Sequence, residues 1–285
     1  MFKKVYISTV KNLFRSITFW LALSVFVLVA TVTALRGFHG TFDVSINQLI
    51  MDTDPRYVLK YDVFIQWMNN SVTSLLLYIV PFFSVIATVI VLTRDYKDDF
   101  YEIEKAAGIK PRQYVFARLF ALIAVTYLLA VIINLFQVNL YVYTRGGVDG
   151  MAFGKYLTES TLRLARIQVV RIFPCVLFYT CLTYLLGAIL KNGILPAAIC
   201  MAYAIINYIV VLYSVGESGI FLDYLSHTSK KLQNFMHYYD TDKFNEFIIL
   251  TDTSFTDAVL CIAFLVSCGV VSAIICYMLA RKRER

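Results

Sequence analysis

Cutting the chain at every Asp, Glu, Lys and Arg leaves six long uncharged windows, at residues 16–35, 63–93, 119–144, 172–190, 192–216 and 258–280. Each can supply the roughly 20 residues that an α-helix needs to cross the hydrocarbon layer. They are continuous apolar runs rather than alternating segments of about ten residues, so they predict helices and not the strands of a barrel. The pattern therefore predicts an all-α integral membrane protein, a single transmembrane domain over residues 1–285, with spans at 17–35, 71–93, 114–143, 172–190, 194–215 and 258–280.

Between the windows the polar positions are not uniform. Residues 1–16 place Phe2, Val5, Tyr6, Val10, Leu13 and Phe14 at three- and four-residue steps, with Lys3, Lys4, Lys11 and Arg15 between them. That is the pattern of a helix lying in the membrane interface, serving as a docking elbow or as an orientation signal for the span that follows. Pro81 falls inside the second span and predicts a kink there. Pro174 and Pro196 fall near the predicted starts of spans four and five, where proline is tolerated. Those two spans are joined only by Lys191, Asn192 and Gly193, which makes them a tight helical hairpin.

The longest charged island runs over residues 95–118, DYKDDFYEIEKAAGIKPRQYVFAR. Asp95, Asp98 and Asp99 suit the positive end of a helix dipole and Lys105 and Lys110 the other end, so its first half predicts a short helix over 95–110. Gly108 and Pro111 break that helix, and Pro111 is placed at the first turn of the next one. Residues 157–171, with Arg163, Arg166 and Arg171 among Leu162, Leu164, Ile167 and Val170, predict an amphipathic helix ahead of span four. Residues 217–257 mix acidic and aromatic positions and predict a small external region of short helices.

Composition agrees with this picture. The chain is 59% hydrophobic and 16% charged, too apolar for an ordinary soluble domain. Its net charge of +7 is spread along the windows' edges and forms no nucleic-acid patch. The N-terminal segment, the island from Arg94, Lys191 and the tail after Ala280 together hold 15 basic and 6 acidic residues, against 11 and 13 in the remaining connections. Positive residues favour the cytoplasmic side, so both termini are expected inside a cell membrane.

Candidate chemistry is sparse. Residues 146–156 resemble a phosphate loop only superficially, because Asp149 and Tyr156 stand where that loop needs Gly and Ser or Thr. His227, His237, Asp223 and Asp240 have no standard metal spacing, and Cys175, Cys181, Cys200, Cys261, Cys268 and Cys276 all fall within predicted spans. No catalytic, metal or cofactor site is expected. The spans carry no acidic residue, which argues against ion-coupled transport and for an energy source outside the membrane. Asn134, Gln137 and Asn207 are polar positions within spans; they either line a substrate path or hydrogen-bond between helices.

The elbow running into NLFRSITFWLAL, the segment DYKDDFYEIEKAAGIKPRQYVFARLFA between spans two and three, the tight turn between spans four and five and the external region before span six resemble an ABC transporter type 2 permease. Glu102 and Glu104 take the acidic role of the family's pattern and Pro111 its proline, with Ile103 and its neighbours in place of the usual Gly-Thr. The resemblance implies a multi-pass permease of a bacterial cell membrane that is not itself an enzyme. It would pair with a second permease copy or a related permease and bind two separate ATPase subunits, which would hold the ATP and Mg. It also implies that Asp99, Phe100, Glu102, Ile103, Lys105 and Ala106 touch the ATPase, with Gly108 and Pro111 setting the angle into span three. EIEKAAGIKPRQ also resembles the segment after the second span of FtsX-like or MacB-type permeases, which act as mechanotransmitters. An ATP-independent membrane scaffold or immunity protein is the alternative from another class.

Overall fold

A computed structural model describes residues 2–36, 79–97, 103, 106–146, 159–213 and 252–282. Seven helices are described: α1 Phe2–Arg15, α2 Ile17–Arg36, α3 Val80–Lys97, α4 Pro111–Gly146, α5 Glu159–Leu190, α6 Ile194–Tyr213 and α7 Asp252–Lys282. Among the described residues three stretches are long and apolar enough to cross a membrane, Gln113–Gln137, Ile172–Leu190 and Ala263–Arg281; the bent pair Phe2–Arg15 and Ile17–Val32 adds up to one more. The described residues adopt the all-helical, membrane-type class expected from the windows. Of the other two windows, the described part of span two ends in the charged residues Arg94, Asp95 and Lys97, and the hairpin's second arm appears as the shorter apolar helix Ile194–Ile206.

The helix α5 is the hub: α3, α4, α6 and α7 all pack on it, and its most extensive contact is with α7. Exposed apolar side chains cover the outside of the bundle, among them Leu21 and Leu28 of α2, Phe120 and Leu128 of α4, Ile199 of α6 and Val271 of α7. An apolar exterior of this kind suits lipid as the surrounding medium. Inside, threonines return their hydroxyls to carbonyls one turn back, Thr88 to Ser84, Thr126 to Leu122 and Thr183 to Tyr179, which satisfies them without a partner helix.

The elbow forms as the apolar spacing predicts. Val5, Thr9 and Leu13, four residues apart, are the buried stripe of α1, which packs chiefly on α4. At Ser16 the chain turns by 68° into α2. The Ser16 carbonyl accepts the first bonds of α2, from the N–H of Phe19 at 3.2 Å, and Trp20 donates its indole N–H back to the Phe14 carbonyl at 2.7 Å. A carbonyl orphaned by the end of α1 is thus satisfied by the first turn of α2. Rings of Phe14, Phe19 and Trp20 pack edge to face around the bend, and Phe19 continues onto Phe83 of α3.

Two expectations about boundaries change. Pro174 lies in the interior of α5, not near its start, because the arginine-bearing segment 159–171 is one continuous helix with the span after it. Proline is accommodated there as it is in other membrane helices, where neighbours re-satisfy the freed backbone. Pro81 stands in the first described turn of α3, two residues after a π-helical residue, Ile79, a widened turn of the sort that accompanies inserted proline; the part of span two before Ile79 lies outside the described residues. Finally, Asp95 does not open the island's short helix. It stands in the last turn of α3. Pro196, by contrast, sits in the first turn of α6 as expected.

Candidate functional site

The two ends of the charged island are folded onto each other. Asp95, at the end of α3, and Arg118, in the third turn of α4, form an ion pair with Oδ1 and Nη1 at 2.6 Å, and their side chains are only 7% and 3% exposed. A carboxylate in the last turn of a helix faces the negative end of the dipole, so Asp95 needs a cation. Arg118 supplies it. Tyr114, one turn earlier on the same face of α4, lies under the guanidinium at 4.5 Å from the ring centre. Arg118 also falls inside the span Gln113–Gln137. The candidate spans among the described residues carry no acidic group, as expected, but a buried carboxylate sits just past the end of predicted span two, in the last turn of α3, and is neutralised by a cation from within a span. Windows cut at charges could not show this, because a paired charge can continue into a bundle where an unpaired one cannot.

The end of α3 is fixed a second time on the hairpin between α5 and α6. Tyr96 donates its hydroxyl to the Gly187 carbonyl at 2.8 Å. Leu92 fills the space where Gly187 has no Cβ, and at Gly193 a Cβ would meet the backbone N and Cα of Thr93 at 3.0 and 3.1 Å. Small residues here let two helices approach backbone to backbone. The tight hairpin is as expected: Lys191 takes the left-handed conformation at φ 51° and Asn192 accepts the N–H of Ile194 at 2.8 Å. Asp95, Tyr96, Tyr114, Tyr184 and Cys276 line a small cavity of about 40 Å³ between α3, α4, α5 and α7. That is room for a water molecule beside the ion pair.

Between its clamped ends, the described residues of the island are mostly exposed. Ile103 is helical and 58% exposed, and its carbonyl accepts the N–H of Ala107 at 3.1 Å, one α-helical turn. Ala106 is exposed as well. The turn ends at Gly108, whose φ of 77° is the left-handed conformation that favours glycine. Pro111 is the first residue of α4 and is buried; the N–H groups of Gln113 and Tyr114 bond the Lys110 carbonyl just before it. Gly108 as helix stop and Pro111 as helix start are thus where the spacing puts them. Asp99, Phe100, Glu102 and Lys105 lie outside the described residues.

Of the polar span positions, Gln137 is fully buried and donates to the Ala30 carbonyl of α2 at 3.1 Å, an interhelical bond. Asn134 is buried one turn before it. The side chain of Asn207 is outside the described residues, as are His227, His237, Asp223 and Asp240. Among the described residues no three His, Cys, Asp or Glu side chains gather as metal ligands. What the described residues show is two anchors, the Asp95–Arg118 pair and the Tyr96 bond to Gly187. The Asp95–Arg118 pair escaped the sequence reading, yet a signal was there: a carboxylate two residues past one apolar window and an arginine directly before the next, with Tyr114 four residues before the arginine. Comparison of the chain with known protein families, curated proteins and solved structures gives no match.

Proposed function

We propose that this chain is the membrane-spanning permease subunit of an ATP-driven exporter, with six spans, both termini cytoplasmic, and the island as the surface on which separate ATPase subunits act. The observation that carries the reading is the mechanical layout of the island. Both of its ends are anchored in the bundle, through Asp95–Arg118 and Tyr96–Gly187, while Ile103 and Ala106 project from it ahead of the Gly108 stop. A force applied to such an exposed turn is delivered to α3 and α4 as rigid bodies rather than absorbed by a loose loop. Asp99, Phe100, Glu102, Ile103, Lys105 and Ala106 form the contact, Gly108 and Pro111 set its angle, and ATP binding and hydrolysis take place on the partner. A second permease copy or a related permease completes the path.

Affinity purification of the tagged chain from its native membrane tests this. An ATPase carrying a phosphate-loop motif is expected to copurify, and the triple reversal Asp99→Lys, Glu102→Lys and Lys105→Glu is expected to release it while the permease still reaches the membrane. Transport or resistance that survives deletion of that ATPase would overturn the reading.

A further inference from the structure

Where α1 turns into α2, a cavity of about 490 Å³ opens between the elbow and the end of α3, with Asn12, Arg15, Ser16, Thr18, Arg94 and Arg118 in its lining. Its size is that of a small-molecule site. Three arginines line it and no carboxylate does; Asp95, the partner of Arg118, is not part of the wall. Guanidinium groups present planar forks that match the oxygens of a phosphate, and the amide and hydroxyls of Asn12, Ser16 and Thr18 add neutral donors around them. The chemistry selects an oxyanion of the phosphate class.

The setting selects its source. Ile17, between two lining residues, is 77% exposed, and Leu21 and Val25 continue the strip along the outside of α2 at 63% and 55%. A soluble phosphate has no use for such a strip, whereas an acyl chain does. Basic pockets between helices on the cytoplasmic side of a membrane hold anionic headgroups. We infer that this cavity binds the phosphate headgroup of an anionic phospholipid whose acyl chains lie along α2. The site uses the elbow, α3 and Arg118 of α4 and does not depend on an ATPase.

The test uses the full-length protein purified in neutral detergent, with phosphatidylglycerol or phosphatidylcholine added and bound lipid counted by native mass spectrometry alongside the thermal unfolding midpoint. Phosphatidylglycerol is expected to bind preferentially and to raise the midpoint. Arg15→Gln and Arg94→Gln are each expected to weaken it by about tenfold, the weight of one charge-assisted hydrogen bond. Lys3→Gln and Lys11→Gln, exposed on α1 and outside the lining, are expected to leave it unchanged. Should an arginine variant fail to fold, competition between the two lipids on the unaltered protein still decides. Equal binding of both lipids overturns the inference, as does undiminished binding by the folded arginine variants. Inorganic phosphate that displaces the lipid and stabilises the protein equally well also overturns it, assigning the cavity to a soluble ion.

Discussion

The two ends of the island and its middle are one stretch of sequence with similar charge, yet they meet opposite fates. Asp95 and Arg118 are buried together at 2.6 Å, whereas Ile103, an apolar residue between them, is 58% exposed. Charge alone therefore does not say what is outside. Position relative to the helix ends does: a carboxylate in the last turn of α3 and an arginine in the third turn of α4 meet each other, while Ile103 and Ala106 between them are exposed. The difference teaches that the island has a fixed base and an exposed turn, and each part can be challenged separately.

The largest effect is expected at the base. Removing one member of a buried pair leaves the other uncompensated, which costs about 3–5 kcal/mol, while replacing both by apolar residues of similar volume is close to neutral. Asp95→Asn or Arg118→Met alone should therefore lower unfolding stability in detergent sharply, and Asp95→Leu combined with Arg118→Met should recover most of it. Single variants no worse than a surface substitution would remove the clamp from the comparison.

Next comes the second anchor, where α3 rests on the hairpin. Gly193→Ala would drive a methyl against the backbone of Thr93, an obstacle that cannot swing aside, and about 1–3 kcal/mol of overpacking is expected. Gly187→Ala meets the side chain of Leu92 instead, which can rotate, so the milder loss belongs there. Thermal unfolding of the two variants side by side measures the difference. The reverse order would mean that the hairpin, not α3, yields.

Much of this architecture was legible in the sequence, and the exceptions share a cause. The elbow, the Lys191–Gly193 turn, the Gly108 stop and the Pro111 start are set by local rules of spacing, capping and φ, and they stand where those rules put them. Asp95 in α3 and Pro174 within α5 are misplaced by cutting at charges, at Arg94 and Arg171, because that assumes each charge meets lipid by itself. Both depend on what the neighbouring helices supply. The Tyr96 bond to Gly187 spans 91 residues and has no local signature at all.

A smaller effect is expected at the hinge between the two regions. Gly108 has no atom within 4 Å of where a Cβ would be, so Gly108→Ala meets no neighbour and reports only the backbone cost of φ 77°. That cost is about 1 kcal/mol. An asparagine at the same position, which tolerates the left-handed region better, should lose less, and an unfolding series of the three residues checks the order.

The smallest stability change is expected in the middle of the island, and that is what makes it informative. Ile103 and Ala106 are exposed, and substitutions at surface positions usually stay within about 0.5 kcal/mol. The triple reversal at Asp99, Glu102 and Lys105 should then leave the unfolding midpoint almost where it was, in contrast to either single change at the base. A large loss would mean that these residues pack on the bundle like Asp95, and the contrast between a fixed base and a projecting arm would collapse. An unchanged midpoint joined to loss of the copurifying ATPase would instead locate the function in the arm and the stability in its base, because the same substitution would have separated the two.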